Sequence, residues 1–93
     1  MHYMLCEIWE DADECGRAAS PVTQQNDKVR VAYDPNAKLV HTFYAYSDHD
    51  FWRQVYKWDG RDEWQADPMY PEHFFTEEEV DEQQQYLQLR GTP

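Results

Sequence analysis

Ninety-three residues carry 19 Asp and Glu against 8 Lys and Arg, a formal net charge of −11. Such a chain has room for one domain, residues 1–93, with a modest core. Its charge disfavours direct contact with nucleic-acid phosphates or anionic membranes and attracts basic proteins, many of which are themselves nucleic-acid binders.

Leu, Ile, Val and Phe together number 15, about one residue in six, which approaches the composition of disordered chains. Four Trp, seven Tyr and four Phe argue for folding, since each ring can bury about 150–250 Å². The opening MHYMLCEIWEDADE has neither the basic n-region of a signal peptide nor an apolar run that could span a bilayer, and a cytoplasmic protein is the expectation. Cys6 and Cys15, nine apart, lack zinc-ligand spacing and are expected to be thiols, with Cys6 a small core residue.

His2 to Trp9 reads as a strand with Met4, Cys6 and Ile8 on one face. The polar stretch from Glu10 to Asp27, with Gly16 and Pro21, reads as a loop with room for one helical turn around Asp13 to Ala19. KVRVAY, Lys28 to Tyr33, alternates as a strand, DPNAK turns, and LVHTFYAY returns, so a hairpin over Lys28 to Tyr46 is predicted. Residues 47–58 admit two readings. As a helix, Ser47 caps and Phe51, Trp52, Val55, Tyr56 and Trp58 form an apolar stripe. As a strand, FWRQVYKW leads through Asp59–Gly60 into RDEWQ as a hairpin, and turn signals recurring about every twelve residues tip the reading to strand.

ADPMYPEHFF reads as an irregular linker that packs Met69, Tyr70, Phe74 and Phe75 on the sheet. Thr76 and Glu79 then form a capping box, and Gly91 stands as a C′ stop, so Glu77 to Arg90 is a helix. Its apolar face is thin: Val80, Tyr86, Leu87 and Leu89. The fold class expected is α+β, a meander-like antiparallel sheet of four to five strands with a C-terminal helix.

The charge is uneven. Residues 59–82 hold ten carboxylates against Arg61 alone, whereas residues 15–58 are mildly basic. The helix macrodipole favours Glu77, Glu78 and Glu79 in a first turn but accounts for none of Asp59 to Glu72. At 1.5 Å rise, the five charges of Glu77 to Glu82 stand about 1.8 Å apart along the axis, near the spacing of about 1.7 Å in duplex DNA. Candidate partner-binding residues are therefore Glu77, Glu78, Asp81 and Glu82, then Asp62, Glu63, Asp67 and Glu72, with Trp58 and Trp64 as aromatic anchors.

Catalytic signals are missing. Gly16, Gly60 and Gly91 are too far apart for a phosphate-binding loop, and no H-E-x-x-H or G-x-S-x-G occurs. Asp48–His49–Asp50 could contribute to a cation site but reads better as a polar cap, and His41 reads as a sheet residue. No catalytic residue, metal or cofactor is assigned. In size, acidity and missing chemistry the chain resembles the general profile of phage and mobile-element inhibitors, the anti-CRISPR, anti-restriction and other DNA-mimic proteins. That resemblance is compositional and transfers no residue. It implies a non-enzymatic inhibitor, in the host cytoplasm, that blocks the nucleic-acid groove of a basic protein or ribonucleoprotein complex. The alternative is a small adaptor or assembly protein using its aromatic surface or a sheet edge, including as a homodimer.

Overall fold

The structure is a computed structural model and describes residues 1–90. Three strands and three helices follow in the order β1 (Met4–Glu10), β2 (Arg17–Pro21), α1 (Gln24–Tyr33), β3 (Lys38–Ala45), α2 (Asp48–Trp58) and α3 (Glu77–Leu89). The sheet is antiparallel throughout, in the order β2-β1-β3. The α+β class and the C-terminal helix stand, but the sheet has three strands rather than four or five.

The central strand owes its place to its alternation. Met4, Cys6 and Ile8 point to one face and join Phe43 and Ala45 of β3 in the core. Phe51 and Val55 of α2, together with Phe75, close that face. On the opposite face, Leu5, Glu7 and Trp9 meet α1 and α3: Gln83 bonds to Leu5, Arg90 to Glu7, and Arg30 lies over Trp9. The sheet is thus a middle layer, with a hydrocarbon interface on one side and a strongly polar one on the other.

Four expectations are corrected. Lys28 to Tyr33 is the second half of α1, so the predicted hairpin does not exist, and β3 pairs with β1 instead. Thr23 caps α1 by accepting from the Asn26 N–H at 3.0 Å. Val29, Val31 and Tyr33 are exposed, and the residue turned inward is Arg30. The alternation is therefore not a core face, and helical capping decides the conformation.

Residues 17–21, expected in a loop with one helical turn, form an edge strand because β1 needs a hydrogen-bonded neighbour on that side. Residues 47–58 take the helical alternative, with the Ser47 hydroxyl accepting from the Asp50 N–H at 3.0 Å. Asp59–Gly60 is then a helix stop rather than a hairpin turn. Gly60 has φ +71, its N–H donates to Lys57 at 3.2 Å, and the Arg61 N–H donates to Tyr56 at 3.0 Å, a Schellman closure.

In the linker only Phe75 packs inward, while Met69 and Tyr70 lie in solvent and Phe74 is half exposed. The predicted Gly91 stop lies outside the described residues. Among the described residues no helix is long and apolar enough to cross a membrane.

Candidate functional site

The acidic helix begins as its sequence dictates. The Thr76 hydroxyl accepts from the Glu79 N–H at 3.1 Å, and Glu79 Oε1 accepts from the Thr76 N–H at 3.0 Å. The same Oε1 is 2.8 Å from His73 Nε2. Burial pushes the Glu79 carboxyl up, but the Thr76 N–H and His73 outweigh it and hold the group below its ordinary value. Glu79 is therefore tied to the fold.

Successive residues turn about 100° around a helix axis. Glu79, Val80, Gln83, Tyr86, Leu87 and Arg90 share one side of α3, and Glu77, Glu78, Asp81 and Glu82 share the other. The inner side is a closed polar network. Gln83, 2% exposed, donates from Nε2 to the carbonyls of Leu5 and Val22, each at 2.9 Å, and accepts from the Leu5 N–H at 2.8 Å. Arg90 grips Glu7 with two bonds of 3.0 and 2.6 Å and Asp27 through Nε at 2.9 Å.

The Tyr86 hydroxyl donates to Asp27 at 2.5 Å, and the Trp9 indole donates to Glu7 at 3.0 Å. The bond to Glu7, against the opposing effect of burial, raises the Arg90 pKa further above its ordinary range. The bond to Asp27 likewise raises the Tyr86 phenol.

The outer side is the reverse. Glu77, Glu78, Asp81 and Glu82 are exposed, and among the described residues none has an ion pair or a side-chain hydrogen bond. Asp62 and Glu63 are likewise exposed and unpaired, and Asp67 accepts only from the Met69 N–H at 2.9 Å, within its own turn. Beside α3 an open groove of about 550 Å³ is lined by Glu82, Tyr86 and Leu89, by Thr23 and Gln24 at the start of α1, and by Met4. Glu79, Gln83 and Gln85 line it too, so carboxylates and amides stand beside the apolar Met4 and Leu89.

The remaining candidates have work inside the chain. Glu72 is half-buried, accepts from the Ser47 hydroxyl and stands 3.9 Å from His49 Nδ1. Trp58 is half-buried, stacked on His41 at 5.4 Å between centroids, with the Arg17 guanidinium 5.0 Å from its centroid. Trp64, also half-buried, sits edge-on to His49 at 5.1 Å. The structure thus unites four of the ten candidates on one surface of α3 and leaves Asp62, Glu63 and Asp67 exposed on the preceding loop.

Asp48 and Asp50 serve the start of α2. Asp48 accepts from the His49 and His73 N–H groups, and Asp50 from the Tyr46 N–H and the Gln54 amide. Among the described residues no group of three or more His, Cys, Asp or Glu is disposed to hold a metal ion. Cys6 is fully buried, and burial, with Asp50 adding to it, pushes its thiol up to about 12; Cys15 is exposed.

Sequence reasoning missed the inner network. The one available signal was Gln83 itself, which lies between Val80 and Leu87 at apolar-stripe spacing. Comparison with family models, with curated proteins and with solved structures gives no match in any of the three.

Proposed function

We propose that the chain is a non-enzymatic inhibitor whose acidic helix face occupies a positively charged, nucleic-acid-binding groove on another protein, in the manner of anti-CRISPR and anti-restriction DNA mimics. One observation carries this reading: the outer face of α3 holds four carboxylates that the fold does not use. Like charges crowded on one surface oppose compaction, whereas the acids that the fold encloses are paired, Glu7 and Asp27 on Arg90 and Asp59 on Arg17 and Arg61.

With Glu79 turned inward, four free charges remain over about 9 Å of axis, one per roughly 2.2 Å. Duplex DNA offers one per about 1.7 Å. A groove shaped for phosphates would meet a comparable field on a ligand already rigid, which lowers the ordering cost of binding. Asp62, Glu63 and Asp67 would extend the field beyond the helix.

The test is capture from a host lysate with the wild-type chain and with the variant Glu77→Lys, Glu78→Lys, Asp81→Lys, Glu82→Lys. A partner held by the wild type at low salt, released at high salt, lost with the variant, and unable to bind duplex DNA or guide RNA while occupied supports the reading. A partner that the variant retains, or that keeps its nucleic acid when occupied, refutes it.

A second reading, a homodimeric adaptor, draws on β3. It is an edge strand, and its Tyr44 is 61% exposed. Sedimentation of the free chain as a monomer at high micromolar concentration would remove it.

A further inference from the structure

Among the described residues, three aromatic faces are covered by the chain's own arginines. Arg30 lies 3.6 Å above Trp9, Arg61 4.0 Å above Tyr56 and Arg17 5.0 Å from the Trp58 centroid. A fourth group of rings has no such cover among the described residues. Tyr3 meets Tyr46 edge-on at 6.1 Å between centroids, and Tyr46 stacks on Phe74 at 6.2 Å. Tyr3 is 51% and Phe74 50% exposed.

This ladder is held firmly. The Phe75 N–H donates to the Tyr46 carbonyl at 3.0 Å, Ser47 and Phe74 form a β-bridge, and Arg53 donates to the Tyr46 hydroxyl at 3.0 Å. Arg53 thus engages the ring's polar tip and leaves the exposed faces of Tyr3 and Phe74 clear.

Phe74 precedes Glu77 by three residues, so their Cα atoms stand no more than about 11 Å apart. A half-exposed ring of the ladder therefore stands near the unpaired Glu77 at the start of α3. Apolar surface left exposed in this way marks interaction sites. Aromatic faces attract cations, arginine most often, and the neighbouring negative charge selects for the same sign.

We propose that Tyr3, Tyr46 and Phe74 seat an arginine side chain of a basic partner, its guanidinium laid on an exposed ring face and its charge answered from the start of α3. This rests on the acidic-face reading above and adds to it a preference for arginine over lysine. Charge density alone does not supply that preference.

The experiment titrates the intact chain with two probes of equal charge, a nona-arginine and a nona-lysine peptide, and repeats both titrations on Phe74→Leu and on the fourfold lysine variant. The arginine peptide is expected to bind the wild type more tightly. Part of that margin comes from arginine's forked bonds to carboxylates, which Phe74→Leu leaves intact. The ladder's share is therefore read as a fall of about two- to fivefold in the arginine-to-lysine ratio of the Phe74→Leu variant.

A ratio that Phe74→Leu does not move overturns the proposal. So does a free chain that sediments as a dimer and becomes monomeric with Phe74→Leu, because the seat would then belong to a second copy. The fourfold variant reads the other question: if both peptides bind it as well as they bind the wild type, the acidic-face reading fails, whatever the ratio does. A thermal melt of Phe74→Leu matching the wild type within a few degrees confirms that the fold persists in the variant compared.

Discussion

The two sides of α3 use the same residue types for opposite ends. On the inner side Glu7 and Asp27 meet Arg90, Tyr86 and Trp9 at hydrogen-bond distance, and among the described residues no buried side-chain nitrogen or oxygen lacks a partner. On the outer side, Glu77, Glu78, Asp81 and Glu82 meet water. The difference teaches where charge is structural in this protein. A carboxylate enclosed by the fold must be answered, since leaving it unpaired costs several kcal/mol. A carboxylate in water costs the fold little and contributes little. Substitutions on the two sides should accordingly separate stability from binding.

The largest effect is expected at Arg90. Arg90→Met leaves Glu7, 4% exposed, without its counter-charge and Asp27 with Arg30 alone. Urea unfolding should show a loss of about 3–5 kcal/mol. That is a large part of the 5–15 kcal/mol typical of a whole domain. Gln83→Leu comes next. It keeps the volume but strips partners from the Leu5 N–H and from the Leu5 and Val22 carbonyls, and a loss of roughly 2–4 kcal/mol follows from unsatisfied buried backbone groups. If either variant unfolds at the wild-type urea midpoint, the inner network is not what fastens α3.

These two residues also mark the limit of what could be read without coordinates. Local chemistry was legible. Thr76 with Glu79 announced α3, Ser47 offered its cap for α2, and Met4, Cys6 and Ile8 announced β1. Each of those signals lies within a few residues and works through backbone geometry. The free acidic face was legible too, because exposure of a dense acid run follows from charge alone.

What stayed hidden depends on contacts distant in sequence. Nothing near Arg90 shows that Glu7, 83 positions earlier, is its partner. Arg30 hid α1 in the same way. An inward cation paired to Asp27 and stacked on Trp9 removes the apolar stripe by which a helix is usually recognised. The strand β2, with sequence RAASP, has little intrinsic strand preference and forms because β1 presents an open edge.

A smaller effect is expected at the helix start, where the two sides meet. Thr76→Ala removes the acceptor for the Glu79 N–H and should lower stability by about 1 kcal/mol. Glu79→Gln should lower it by less than about 1 kcal/mol near neutral pH, since the side chain is partly exposed. The sign of its pH dependence is fixed by the depressed Glu79 carboxyl. The stabilisation is present above the ordinary value of 4.5 and is lost as pH falls through the lower folded value. Urea midpoints of wild type and Glu79→Gln should therefore converge as the pH falls below 4.5. A gap that stays constant down to pH 3 would mean that the Glu79 charge plays no part in the box.

The smallest change in stability belongs to the outer side, where the largest change in binding is expected. Reversing Glu77, Glu78, Asp81 and Glu82 to lysine moves the net charge from −11 to −3. Two opposing terms result. Lysines in the first turn face the positive end of the macrodipole, at about 0.3–1 kcal/mol each. Relief of repulsion among the chain's remaining acids works the other way. The net shift in urea stability should stay within about 1 kcal/mol, and it should shrink in 1 M NaCl, where the screening length is about 3 Å. A loss above about 2 kcal/mol that persists at high salt would place these carboxylates in the structural network after all, and the division between the two sides of the helix would collapse.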